Sequence, residues 1–213
     1  MEISPEELKE SGYIQLDEMK HDDIVPFLQK YMKKRTAYSI FYYISNLILL
    51  GFVGYYFALG FGLSSYSFAM RFAHFSYGLG IAIALIPLHE YIHVLAYKSQ
   101  GAQNTSYDAN IKKFYFMALA DKFVVNKKEF EVVALAPFIV ISTILIGLLF
   151  LVNSDWVLTV FAVLFAHTAM CSGDFGLLSY FEFNKEKHVV TYDDIENKIS
   201  YFYGQQGEKE KER

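Results

Sequence analysis

Five residues, His89-Glu90-Tyr91-Ile92-His93, carry a pattern with chemical content. Two histidines four positions apart share one face of a helix, and together they can grip one Zn²⁺. The glutamate beside the first can take a proton from water that the metal activates. All five lie within an apolar run, Tyr77 to Tyr97, long enough to cross a bilayer. An acid and two imidazoles are costly in hydrocarbon, so their presence there points to function. The competing reading is a polar cluster that hydrogen-bonds neighbouring helices.

The elements that must hold these residues can be read from composition. The chain has 213 residues, of which 54% are hydrophobic and 18% aromatic. That is too apolar for an ordinary soluble domain and fits a small polytopic membrane protein. The net charge of −4 is mild and points to no nucleic-acid partner. A single cysteine, Cys171, excludes an internal disulfide. The polar first 37 residues contain no short apolar core of a cleavable signal peptide.

Four stretches reach the roughly 20 residues a spanning helix needs. They run from about Tyr38 to Gly62, Phe72 to Tyr97, Val132 to Val152 and Val157 to Phe181. Basic residues cluster before the first, between the second and third, and after the fourth; only Arg71 falls elsewhere. The positive-inside rule then puts both termini and the 98–130 loop in the cytoplasm. In that loop, Lys113-Phe114-Tyr115-Phe116-Met117 and Phe123-Val124-Val125 are β-prone, which predicts a small hairpin against the membrane surface. The N-terminal segment begins with Ser4-Pro5-Glu6-Glu7, a helix-start pattern with Ser as cap. A second helix is expected to begin at Asp22 or Asp23, and the segment reads as a solvated lead-in. The expected fold is therefore an all-α membrane protein: four transmembrane helices with a small cytoplasmic β-hairpin between spans 2 and 3. Residues 1–37 form an amphipathic cytoplasmic segment, 38–183 the membrane domain and 184–213 a charged cytoplasmic tail.

A catalytic zinc takes three protein ligands and leaves one position open, so a third ligand is needed. Asp174 is the only acid in the third and fourth stretches. By helical rise, His89 and Asp174 each lie about 12–13 Å from the cytoplasmic end of their helices. Gly173 and Gly176 flank Asp174 and would let helices approach closely. His167 is the rival, but on an unbroken helix it sits about 10 Å deeper, so it reads as a secondary polar group of the cleft. The alternative for Asp174 is a carboxylate that caps or snorkels. His74 reads as inert, and Cys171 as packing. Pro87 and Pro137 can kink their spans and admit water.

These residues resemble the site-2-protease-like intramembrane metalloproteases, and more closely the zincin peptidases of the DUF3267 type. The resemblance covers roughly Tyr77 to Phe183. It rests on His89 to His93, Leu135-Ala136-Pro137, and Ser172-Gly173-Asp174. It implies metal ligation by His89, His93 and Asp174, with Glu90 as base. The longer Asn- and Pro-containing motif of the broader site-2 family is absent from His167 to Phe175, so substrate-gating contacts do not carry over.

The expected function is hydrolysis of a peptide bond in a membrane-embedded or membrane-associated substrate, with Zn²⁺ as cofactor and the lipid bilayer as surroundings. The alternative is a non-enzymatic metal-binding adaptor or immunity-type protein that keeps the fold. A bis-histidine haem protein fits poorly, because an i, i+4 pair on one helix cannot supply two opposite axial ligands.

Overall fold

The structure is a computed structural model, and it describes residues 4–59, 67–110, 112 and 115–205. Eight α-helices are described: α1 Pro5–Glu10, α2 Ile24–Met32, α3 Ala37–Leu59, α4 Phe68–Ala84, α5 Ile86–Ser99, α6 Lys127–Leu149, α7 Ser154–Met170 and α8 Ser172–Phe183. Six strands are described: β1 Tyr13–Lys20, β2 Thr105–Asn110, β3 Tyr115–Ala120, β4 Val125–Asn126, β5 Val190–Asp194 and β6 Ile199–Gln205. The chain divides into two compact units, one of residues 1–39, 90–136 and 173–213, the other of 40–89 and 137–172.

The expected all-helical fold is corrected here. β1, β6, β5 and β4 form an antiparallel sheet in that order, and β2 pairs with β3 in a second. The strands are not a simple hairpin between two spans. Within the 98–130 loop, β3 pairs with β2, while β4 leaves that ladder and adds to the edge of β5. β1 pairs along β6, from Tyr13 opposite Gln205 to Lys20 opposite Ile199, with a register shift between Gln15 and Asp17.

In this first unit, the segment read as a solvated lead-in supplies core. The capping box at Ser4 and Glu7 forms as the sequence suggests, with the Ser4 amide donating to Glu7 Oε2 at 2.9 Å. Leu8, Met19, Ile24 and Tyr31 are buried. Aromatic rings make up much of the core: Tyr180 of α8 meets Phe202 of β6 in a tilted pair at 4.4 Å and Tyr31 of α2 edge-on at 4.7 Å. The Tyr180 hydroxyl donates to Asp17 in β1 at 2.9 Å, so the phenol is satisfied where it is buried. Asp108 of β2 accepts from His21 at 2.9 Å and from Lys198 at 3.1 Å. Burial pushes its carboxyl up, but those hydrogen bonds and the Lys198 charge outweigh it and hold it below the ordinary carboxylate range. Asp193 of β5 is driven the other way by burial, against hydrogen bonds from Ser200 and the Ala120 amide.

The second unit is helical. Gly78 of α4 and Ala162 of α7 meet so closely that a Cβ at Gly78 would lie 2.4 Å from Ala162 Cβ. Thr159 bonds both the His74 ring and the His74 carbonyl at 3.0 Å, so His74 is a buried packing residue. Arg71, the basic residue set apart from the others, donates to the carbonyls of Phe57 and Ala58 at the end of α3. A cation there suits the helix dipole. Along α3, large apolar side chains point outward, Leu47 with 70% of its surface exposed. Such a face is unfavourable in water and suits lipid.

Three helices are long and apolar enough to cross a membrane: Ala37–Ala58, Phe68–Ser99 and Lys127–Leu149. The fourth expected span is not one helix. It is α7 and α8, bent by 43° at Cys171. The helices mark a membrane protein. Strands of one sheet cannot lie on opposite faces of a bilayer, so the segments bearing β1, β4, β5 and β6 share one side.

Candidate metal centre

α5 carries the two histidines. Pro87 stands in its first turn, where a missing N–H breaks no helical bond, and helical bonding is in place at His89, whose amide donates to Leu85 at 2.9 Å. The expected kink reduces to a single turn residue, Leu85, between α4 and α5. Gly101, at φ 103°, accommodates the left-handed backbone just beyond the end of α5.

His93 is 6% exposed and held at both ring nitrogens. Its Nδ1 lies 2.9 Å from the Val133 carbonyl of α6, and its Nε2 lies 3.1 Å from Asp174 Oδ1. A carbonyl only accepts, so Nδ1 carries a proton, and Nε2, which faces the carboxylate, is the nitrogen that could bind a metal once its own proton is given up. Asp174 lies in the first turn of α8, where the helix dipole favours a carboxylate.

His89 is likewise buried. Its Nδ1 lies 3.2 Å from His167 Nε2. His167 is wholly buried. The 10 Å offset expected for His167 presumed an unbroken helix, and the helix breaks at Cys171. Cys171 donates its thiol to the His167 carbonyl at 3.3 Å. Glu90 is half-buried on α5, one turn before His93.

His93 and Asp174 approach to 3.1 Å, and His89 stands one turn before His93 on the same helix. A zinc with bonds of about 2.0–2.1 Å holds its ligand atoms about 3.3 Å apart, so the His93–Asp174 spacing suits one edge of that tetrahedron. The donor set of two imidazoles and a carboxylate therefore fits zinc. A second group, His89, His167 and Cys171, has one donor atom from each within 4.8 Å of the others, with every member buried.

Sequence reasoning missed two contacts. The Val133 carbonyl is backbone and has no residue type to mark it. The His167–His89 contact was obscured by the broken helix. The close approach expected at the glycines is made by α2: a Cβ at Gly176 would meet Leu28 at 2.8 Å.

The long apolar helices mark a membrane protein, and the buried imidazoles and the carboxylate beside them are residues that could hold a metal ion. The chain belongs to the DUF3267 family, whose profile, described as putative zincin peptidase, matches residues 82–189. The matched stretch runs from the last turn of α4 to the start of β5 and includes His89, Glu90, His93, His167 and Asp174. No curated protein and no solved structure matches the chain.

Proposed function

We propose that this chain is an intramembrane zinc metalloprotease of the site-2 type, hydrolysing peptide bonds of membrane-associated substrates near the cytoplasmic face. The observation that carries the reading is the His93 ring, held by Val133 so that Nε2 faces Asp174 at 3.1 Å. His89, His93 and Asp174 would hold the ion. Zinc, when bound, supplies Lewis acidity that polarises a carbonyl and acidifies water. Glu90 accepts the proton released from the attacking water and delivers it to the departing amine nitrogen. His167 orients His89: with its proton on Nδ1 directed at His167, His89 presents Nε2 as donor. The clustering of basic residues supports a cytoplasmic location for both termini and the 98–130 loop.

A second reading draws on the buried His89, His167 and Cys171 group. A closed site with a sulfur ligand is typical of structural metal. It would suit a metal-binding membrane protein without turnover.

The test pairs zinc content with cleavage of a membrane-embedded peptide library, for wild type and Glu90→Gln. The amide keeps the shape and cannot accept the proton. Wild-type cleavage, with full zinc and at least about 100-fold less cleavage in the variant, supports the protease. Equal cleavage by both removes Glu90 as base. Zinc held through sulfur in X-ray absorption, with no cleavage by either protein, favours the second reading.

A further inference from the structure

α6 runs from Lys127 to Leu149 with Pro137 inside it. A proline has no N–H, so the carbonyl four residues earlier loses its helical donor, and the pyrrolidine ring crowds that carbonyl away from the helix axis. The carbonyl in question is that of Val133. Val133 is 2% exposed, so water is not at hand to replace the donor. Buried backbone carbonyls are almost always paired. Here the partner is His93 Nδ1 at 2.9 Å.

We infer that Pro137 is a positioning residue for the metal centre. By denying Val133 its helical partner, it reserves that carbonyl for His93, fixes the imidazole proton on Nδ1 and leaves Nε2 as the donor atom. The property that matters is the missing N–H, which removes the competitor. An ordinary residue at 137 would donate to Val133 and draw the oxygen back along the helix. The His93 ring would then be free to take the other tautomer, with a proton on the atom that must bind metal. Pro87 has no such effect, since it stands where a helix needs no donor. The inference rests on the reading of His93 as a metal ligand, and its tautomer can be measured without any metal.

The experiment uses the full chain in detergent, with three versions of position 137: proline, Pro137→Ala, and the α-hydroxy analogue of alanine. The last forms a backbone ester with neither ring nor N–H. Zinc affinity is measured by chelator competition, and the His93 tautomer by ¹⁵N NMR of metal-free protein. Pro137→Ala is expected to lower zinc affinity 10–100-fold, the range for losing an outer-shell partner of a metal ligand. It should also move the His93 proton away from Nδ1. The ester should restore both, because it again leaves Val133 without a helical donor. Unchanged affinity and tautomer in Pro137→Ala would overturn the inference. So would an ester that behaves like alanine, since that assigns the effect to the ring's packing. If wild type binds no zinc while the tautomer still follows the N–H at 137, the metal reading falls and the role of Pro137 stands.

Discussion

His93 and His89 are held in the same way, each by a contact at Nδ1, but the two holders differ. The Val133 carbonyl belongs to a helix backbone, whereas His167 is a side chain. His167→Ala is therefore expected to weaken zinc binding by about 10–100-fold without abolishing it. His93→Ala removes a proposed ligand and should cost far more. Chelator competition on the three proteins gives the order. Equal loss in both variants would make His167 a ligand, in line with the His89, His167 and Cys171 group. At this scale the histidine pair was legible because i, i+4 spacing is a property of the helix alone. Asp174 was legible because a lone acid in apolar sequence is conspicuous. The Val133 contact was not, because an acceptor on the backbone leaves no mark on its own residue type. Its only trace in the sequence is a proline four positions later, which by itself suggests a kink.

Among the elements, α4 and α7 approach closely at Gly78. A methyl at Gly78 would meet Ala162 Cβ at 2.4 Å and the Thr159 carbonyl at 2.8 Å, and backbone cannot step aside as a side chain can. Gly78→Ala gains up to about 1 kcal/mol of helix propensity. It should lose more than this to overpacking, for which about 1–3 kcal/mol is usual. Gly80 lies on the same helix with nothing within 4 Å. Gly80→Ala should leave the thermal midpoint equal or higher, and Gly78→Ala should lower it. A midpoint for Gly78→Ala at or above that of Gly80→Ala would show that the helices can part without cost. The long helices were visible as apolar runs, but the strands mostly were not. β1 breaks its alternation at the Gln15–Asp17 register shift, so Tyr13 and Met19 are buried without a regular period between them. β5 carries Asp193 and Asp194, which made it read as part of a charged tail. Its acids are held by Ser200 and Asn197 rather than by solvent alone. Strand pairing is a long-range property, and a local reading of charge does not register it.

At the scale of the whole molecule, Asp108 links the start, the middle and the end of the chain through His21 and Lys198. Because its folded pKa lies below the ordinary value, its contribution is present above the unfolded pKa, near 4. It is lost as pH falls through the folded value. Asp108→Asn should therefore cost about 1–2 kcal/mol at neutral pH and flatten the acid limb of the stability curve. Asp193, with its raised pKa, has the opposite sign: its contribution is present below the unfolded value and fades as pH rises through the folded one. It is common to both proteins, so the difference curve isolates Asp108. A difference that stays constant down to acid pH would show that the carboxylate charge contributes nothing. The same pairing of beginning with end has a consequence for biosynthesis. β1 emerges from the ribosome early, yet its described ladder partner β6 emerges only after every membrane helix described has been made. Throughout translation the nascent strand is an unprotected edge, open to any other chain with a free edge. Closing that sheet is therefore the last step of assembly, and a chain released before Ile199 would carry its membrane helices complete and leave β1 without the partner that covers it.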